Sequence, residues 1–209
     1  MNEVIIDEDG NEKIKVILIG DSGVGKTNLI NVANGGKFDE DTRATLTASF
    51  VKIHIDVNKR GHNLYLWDTI GQERLRSLTK IFFKDSRIVI FVYDVTTRTS
   101  FENLPDWVKE VNDTLGNNYI KGVVGNKIDL FLNEQVKEQE AESYAQSIGA
   151  KLCSTSAKTD SKGFYEFLKT LVEDYDKVNS KNVPNNDNHK KIQLNPEEQK
   201  KKKDKKCCK

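Results

Sequence analysis

Between residues 13 and 176 short apolar runs alternate with segments of helical period. That alternation predicts an α/β fold with an open, six-stranded, mostly parallel sheet flanked by five helices. Ile14 to Ile19 is a continuous apolar run and reads as a strand buried on both faces. Val51, Ile53, Ile55 and Val57 alternate with polar residues, as in a strand with one wet face. Turn residues Asn58 to Asn63 follow, and Leu64 to Trp67 returns as the hairpin partner. Ile88 to Tyr93, Ile120 to Val124 and Lys151 to Thr155 supply the remaining strands. Helices are predicted over Gly25 to Ala33, Leu78 to Lys84, Phe101 to Leu115, Glu134 to Ile148 and Lys162 to Val178.

The pattern fails at both ends. Residues 1–12 are acidic, lack a signal-peptide pattern, and are expected to form a flexible N-terminal extension. From residue 179 to 209 Asn, Lys, Asp and Gln dominate and aromatics vanish. Such a segment cannot bury enough apolar area to offset its ordering entropy, so a disordered tail is expected. The formal net charge of +1 conceals an asymmetry between body and tail. Lys177 to Lys209 holds 11 lysines against four acids, a charge of +7, which leaves −6 on residues 1–176. A basic tail on an acidic body points to an anionic surface. Without aromatics to stack on bases, the tail gives no support to nucleic-acid binding. No run of 18 apolar residues exists, which predicts a cytosolic chain without a membrane span. Three cysteines argue against a disulfide framework; Cys153 reads as a small core residue, while Cys207 and Cys208 stand together near the end.

Two motifs bring chemistry. Gly20-Asp21-Ser22-Gly23-Val24-Gly25-Lys26-Thr27 follows a buried strand and opens a helix. A triphosphate needs several backbone N–H groups pointing inward, and glycines let the backbone approach. The helix that follows presents its positive end to the phosphates. Lys26 is placed to neutralise the β- and γ-phosphates, and Thr27 to bind Mg²⁺. Asn126-Lys127-Ile128-Asp129 follows a later strand and chooses the base. A carboxylate at Asp129 can accept from N1–H and the exocyclic amine of guanine, a donor pair that adenine lacks. In Ser156-Ala157-Lys158 the Ala157 N–H is placed to donate to guanine O6. A nucleotide kinase or ATPase could share the phosphate loop, but Asp129 and the Ser-Ala-Lys run oppose that reading.

Together with Trp67-Asp68-Thr69-Ile70-Gly71-Gln72-Glu73-Arg74, these elements resemble the small GTPases of the Ras superfamily, and within them the Rab branch. The segments Thr45 to Phe50 and Gln139 to Gly149 look most like the endosomal Rabs of the five and twenty-one groups. The resemblance implies a P-loop NTPase fold over residues 13–178, GTP/GDP and Mg²⁺ as ligands, and slow hydrolysis of GTP. It places Asp21 to Asn28 around the phosphates and Phe38 against the guanine. Thr45 and Asp68 join Thr27 at the metal, the Gly71 N–H reaches the γ-phosphate, and Gln72 is the catalytic residue orienting water. Ile70 stands where the family usually has Ala. Its stiffer side chain could hinder closure or simply pack into a gap, which leaves open a GTP-binding scaffold with little hydrolysis. Thr47 is a second departure, expected to bear on partner choice. Phe50, Trp67 and Phe82 match an aromatic trio shown to effectors, or else pack as ordinary core.

Lys200 to Lys206 carries six lysines and is followed by Cys207-Cys208-Lys209. The paired cysteines resemble a double geranylgeranylation site, and two lipids plus a polybasic run suffice for stable anchoring. Ile192 and Leu194 resemble the short motif that engages an escort protein, or are a chance pair. The implied partners are an exchange factor, a GTPase-activating protein, the Rab escort protein, the GDP-dissociation inhibitor and switch-binding effectors. The expected form is a monomer on the cytoplasmic face of membranes, endosomes above all, with a cytosolic pool.

Overall fold

The computed structural model describes residues 6–8, 11–41, 49–68, 82–160 and 162–180. Six strands form one sheet in the order β2-β3-β1-β4-β5-β6. They are β1 (Glu12–Ile19), β2 (Ser49–Val57), β3 (Arg60–Asp68), β4 (Ile88–Asp94), β5 (Ile120–Asn126) and β6 (Lys151–Ser154). Only β2 and β3 pair antiparallel; every other neighbouring pair is parallel. All seven residues of β4 are buried, as a central parallel strand covered on both faces requires.

Helices cover both faces, giving the predicted α/β architecture. Among the described residues they are α1 (Lys26–Ala33), α2 (Arg98–Glu102), α3 (Leu104–Leu115), α4 (Glu138–Ser147) and α5 (Gly163–Ser180). One core lies between the sheet and α1 and α5, built on Ile14, Val16, Leu18, Leu29, Phe164 and Leu168. The other lies under α2, α3 and α4, built on Ile17, Phe91, Phe101, Trp107, Val111 and Ala141.

Several boundaries differ from the sequence reading. The turn placed over Asn58 to Asn63 shrinks to Asn58 and Lys59, both with positive φ, and β3 begins at Arg60. Two left-handed residues suit a two-residue hairpin whose twist matches the strands. The helix read as Phe101 to Leu115 is two helices. Pro105 sits in the first turn of α3, where it has no N–H to continue the ladder from Phe101. The Asn103 carbonyl instead receives the Asp106 and Trp107 amides. A 3-10 turn over Ile128–Asn133 delays α4 to Glu138, four residues later than expected from Glu134.

Part of the expected N-terminal extension is docked rather than free. Ile6 bridges to Glu12, Asp7 pairs with Lys52 at 3.1 Å, and the Asn63 amide donates to the Asp7 carboxylate. At the other end α5 continues to Ser180, two residues into the segment expected to be tail. Most of the short helix predicted at Leu78 to Lys84 lies outside the described residues, with Phe82 and Phe83 in its helical end.

Candidate nucleotide site

The loops after β1, β5 and β6 and the carboxyl end of β3 at Asp68 come together, where open α/β sheets bind ligands. Gly20 to Gly25 follows β1. A Cβ at Gly20 would stand 2.1 Å from the Val92 carbonyl oxygen, and one at Gly25 2.3 Å from Asn126 Nδ2. Gly25 also has φ +95, so the loop admits no side chain at either position. Among the described residues no side chain caps α1 and its first turn holds no acid, so its positive end is turned toward the loop where an anion would sit.

Lys26 is 5% exposed and donates to the Gly20 and Asp21 carbonyls, both at 2.8 Å. Burial lowers its pKa to about 8, against the pull of Asp68 and Asp21. Thr27 Oγ1 donates to Asp68 Oδ2 at 2.7 Å, joining α1 to the end of β3. A hydroxyl and a carboxylate side by side at a helix N-terminus are hard oxygen donors of the type Mg²⁺ prefers, so these residues fit that ion.

The other loops are tied together by side chains. Asn126 is 1% exposed; its Nδ2 donates to the Val24 carbonyl at 2.8 Å, and its Oδ1 accepts from the Ala157 N–H at 3.1 Å. One amide thus spans the loops after β1, β5 and β6. Lys127 takes a left-handed backbone, φ 69 and ψ 33, and its Nζ lies 2.7 Å from Asp94 Oδ2. Ser156 Oγ donates to Asp129 Oδ1 at 2.5 Å and accepts from the Lys158 and Thr159 amides. Lys158 Nζ stands 5.7 Å over the Phe38 ring and pairs with Glu40. The pairing with Glu40 raises the pKa of Lys158.

Two of the expected nucleotide residues have their side chains engaged with protein. Asp21 accepts from Asn103 Nδ2 at 2.8 Å and from the Trp107 indole at 2.9 Å. Asn28 forms a two-way amide contact with the Asp39 backbone, at 2.9 and 3.0 Å. Ser22 and Gly23 are exposed at the loop tip, and Val24 is buried in the core. Asp94, Asn103, Trp107 and Glu40 escaped the sequence reading. Asp94 could have been found only from strand register, which sets it beside Asn126. Thr45, Thr47, Ile70, Gly71, Gln72, Ile192, Leu194, Cys207 and Cys208 lie outside the described residues.

A family sequence model, the Ras family, matches residues 15–177. The chain belongs to the Ras family. Over 163 residues it is 44% identical to the Ras-related protein Rab-21 of Homo sapiens, covering 76% of this chain and 72% of that protein. It is 42% identical over 161 residues to Rab-21 of Geodia cydonium, covering 77% and 70%. Against the Ras-related protein YPTC6 of Chlamydomonas reinhardtii it is 34% identical over 186 residues, covering 89% and 86%. This Ras-family protein is therefore a Rab-like GTP phosphohydrolase of vesicle traffic. It binds guanine nucleotide and works through regulators and effectors. The resemblance to the Ras superfamily and its Rab branch is borne out. On this GTPase the aromatic trio is continuous: Phe50 and Trp67 ring centroids are 5.1 Å apart, Trp67 and Phe82 5.9 Å. Phe50 is 51% exposed, so at least one ring faces solvent.

Proposed function

We infer that this GTPase acts on endosomal membranes as a Rab-type switch, gathering effectors while GTP is bound and releasing them after hydrolysis. The observation that carries the reading is Asn126, whose one amide ties the phosphate loop to the base-reading loops. The identity to Rab-21 supports the endocytic branch.

In this reading the backbone from Asp21 to Asn28 and the Lys26 ammonium hold the phosphates. Asp129 accepts from the guanine edge, with Ser156 fixing its orientation and the Ala157 N–H meeting O6. Phe38 and the stem of Lys158 enclose the base between them, and Asn126 and Lys127 brace the loops. Thr27, Thr45 and Asp68 are the residues that would hold Mg²⁺, which supplies positive charge against the phosphate oxygens. Gly71 and Gln72 meet the γ-phosphate and orient the attacking water. Phe50, Trp67 and Phe82 form the effector anchor, since exposed aromatics dominate contact energies. Residues 13–178 form the GTPase domain. The tail carries geranylgeranyl groups on Cys207 and Cys208, with its lysines against anionic lipid. An exchange factor, a GTPase-activating protein, the escort protein and the GDP-dissociation inhibitor complete the cycle, and the protein works as a monomer.

Single-turnover hydrolysis of GTP tests the mechanism. Slow turnover is expected for the wild-type chain and near-complete loss for Gln72→Leu, with and without an activating partner. Equal rates would remove Gln72 from the mechanism. Deleting residues 207–209 should leave nucleotide binding intact and shift the protein from membrane to cytosol on fractionation; a firmly membrane-bound deletion would defeat the lipid-anchor reading.

A further inference from the structure

At the end of the sheet opposite the nucleotide, β3 carries a histidine into the core beneath α5. His62 is 1% exposed, and neither ring nitrogen makes a hydrogen bond among the described residues. A buried polar group left unpaired costs about 1–3 kcal/mol. Two carboxylates face it. Glu12, directly across the parallel pair on β1, places Oε2 3.9 Å from Nδ1. Asp176, on the last turns of α5, places Oδ2 3.3 Å from Nε2. Both carboxylate side chains are only 11% exposed. One donor atom from each of the three residues lies within 4.8 Å of the others.

We propose that Glu12, His62 and Asp176 form a binding site for one divalent transition cation of the zinc class. The separation of Asp176 from His62 has the wrong direction for a hydrogen bond, yet it suits two ligands of one ion. Ligands about 2.0–2.1 Å from a tetrahedral centre stand roughly 3.3 Å from each other. Glu12 faces the other ring nitrogen, but one donor atom from each residue lies within 4.8 Å of the others, so a turn of the Glu12 side chain by about 1.5 Å brings its carboxylate to that edge of the same ion. Two carboxylates shielded from water and facing one imidazole suit a divalent cation. An imidazole among the donors selects zinc-like ions over Mg²⁺ or Ca²⁺. The Tyr175 hydroxyl donates to Glu12 Oε1 at 2.6 Å, the kind of outer hydrogen bond that orients a ligating carboxylate. Three protein donors leave a fourth position for water. The ion would tie the start of β1, the start of β3 and the last turns of α5 into one unit.

The test uses the full chain with Cys207 and Cys208 changed to Ser, which removes the paired thiols of the tail, loaded with GDP in excess Mg²⁺. Titration with Co²⁺ should reveal one equivalent with the intense visible bands of four-coordinate cobalt, displaced by Zn²⁺. Octahedral Co²⁺ at the nucleotide would absorb far more weakly and so is distinguishable. His62→Leu should abolish the bands. Glu12→Gln and Asp176→Asn should each weaken binding at least tenfold, as is usual when a metal site loses a supporting group. GDP retention reports folding; if His62→Leu does not fold, the two carboxylate variants decide. No four-coordinate equivalent in the parent chain, or unchanged binding in the folded variants, would overturn the site.

Discussion

The phosphate end and the base end of the nucleotide site are built on opposite terms. Around the phosphates the chain offers backbone, and its selectivity lies in side chains that are missing: Gly20 and Gly25 have no room for a Cβ. Around the base it offers side chains, each held by another, as Ser156 holds Asp129 and Asp94 holds Lys127. The phosphate end should therefore suffer from atoms gained, and the base end from atoms lost or altered.

The largest test of that contrast is Asp129→Asn. An amide would present a donor where guanine also donates, and sites built on such hydrogen bonds discriminate by about 10⁴-fold. Preference should swing from guanosine to xanthosine diphosphate in a competition assay; equal competition in variant and wild type would detach Asp129 from the base. Gly25→Ala adds one methyl at the other end. Left-handed strain of about 1–3 kcal/mol and the collision with Asn126 should weaken GDP up to about a hundredfold, read from fluorescent-nucleotide dissociation. Ser156→Ala removes only the hydroxyl that aims Asp129. Loss of one hydrogen bond to a charged group, about 1.5 kcal/mol, should cost roughly tenfold in guanine affinity and nothing in pyrophosphate affinity.

The smallest effect separates the ends by pH. Free Lys26 is lowered to about 8 by burial, and incoming phosphates must raise it again. Between those two values binding takes up a proton. GDP affinity should accordingly be level below pH 8 and fall severalfold by pH 9, with proton uptake visible in calorimetry across buffers. A flat profile over that range would mean that Lys26 stays charged in the empty pocket.

What could be read in advance follows the same division. The phosphate loop was legible because its requirements are local: a strand, glycines, a lysine and a helix in unbroken order. Asp129 was legible because guanine offers a donor pair that only a carboxylate can meet. The braces were not, since Asn126 to Val24 and Trp107 to Asp21 join residues 102 and 86 positions apart. Nothing in either segment alone announces the partner. The antiparallel hairpin was found, but its turn was read too long, because Arg60 and Gly61 look like loop until β2 pairs with them. His62 and Asn63 were lost in that same misplaced turn.

The sequence contains two tryptophans, and the fold has stationed them as separate observers. Trp107 is 1% exposed with its indole bonded to Asp21 of the phosphate loop, whereas Trp67 stacks between Phe50 and Phe82 on the aromatic stripe. Intrinsic fluorescence from the native chain therefore carries two signals without any attached dye. Emission from Trp107 follows the occupancy of the loop it touches, shielded from solutes such as acrylamide, while emission from Trp67 follows whatever covers the stripe. Replacing either one with Phe leaves a single-channel reporter, so nucleotide loading and partner docking can be timed apart in the same molecule.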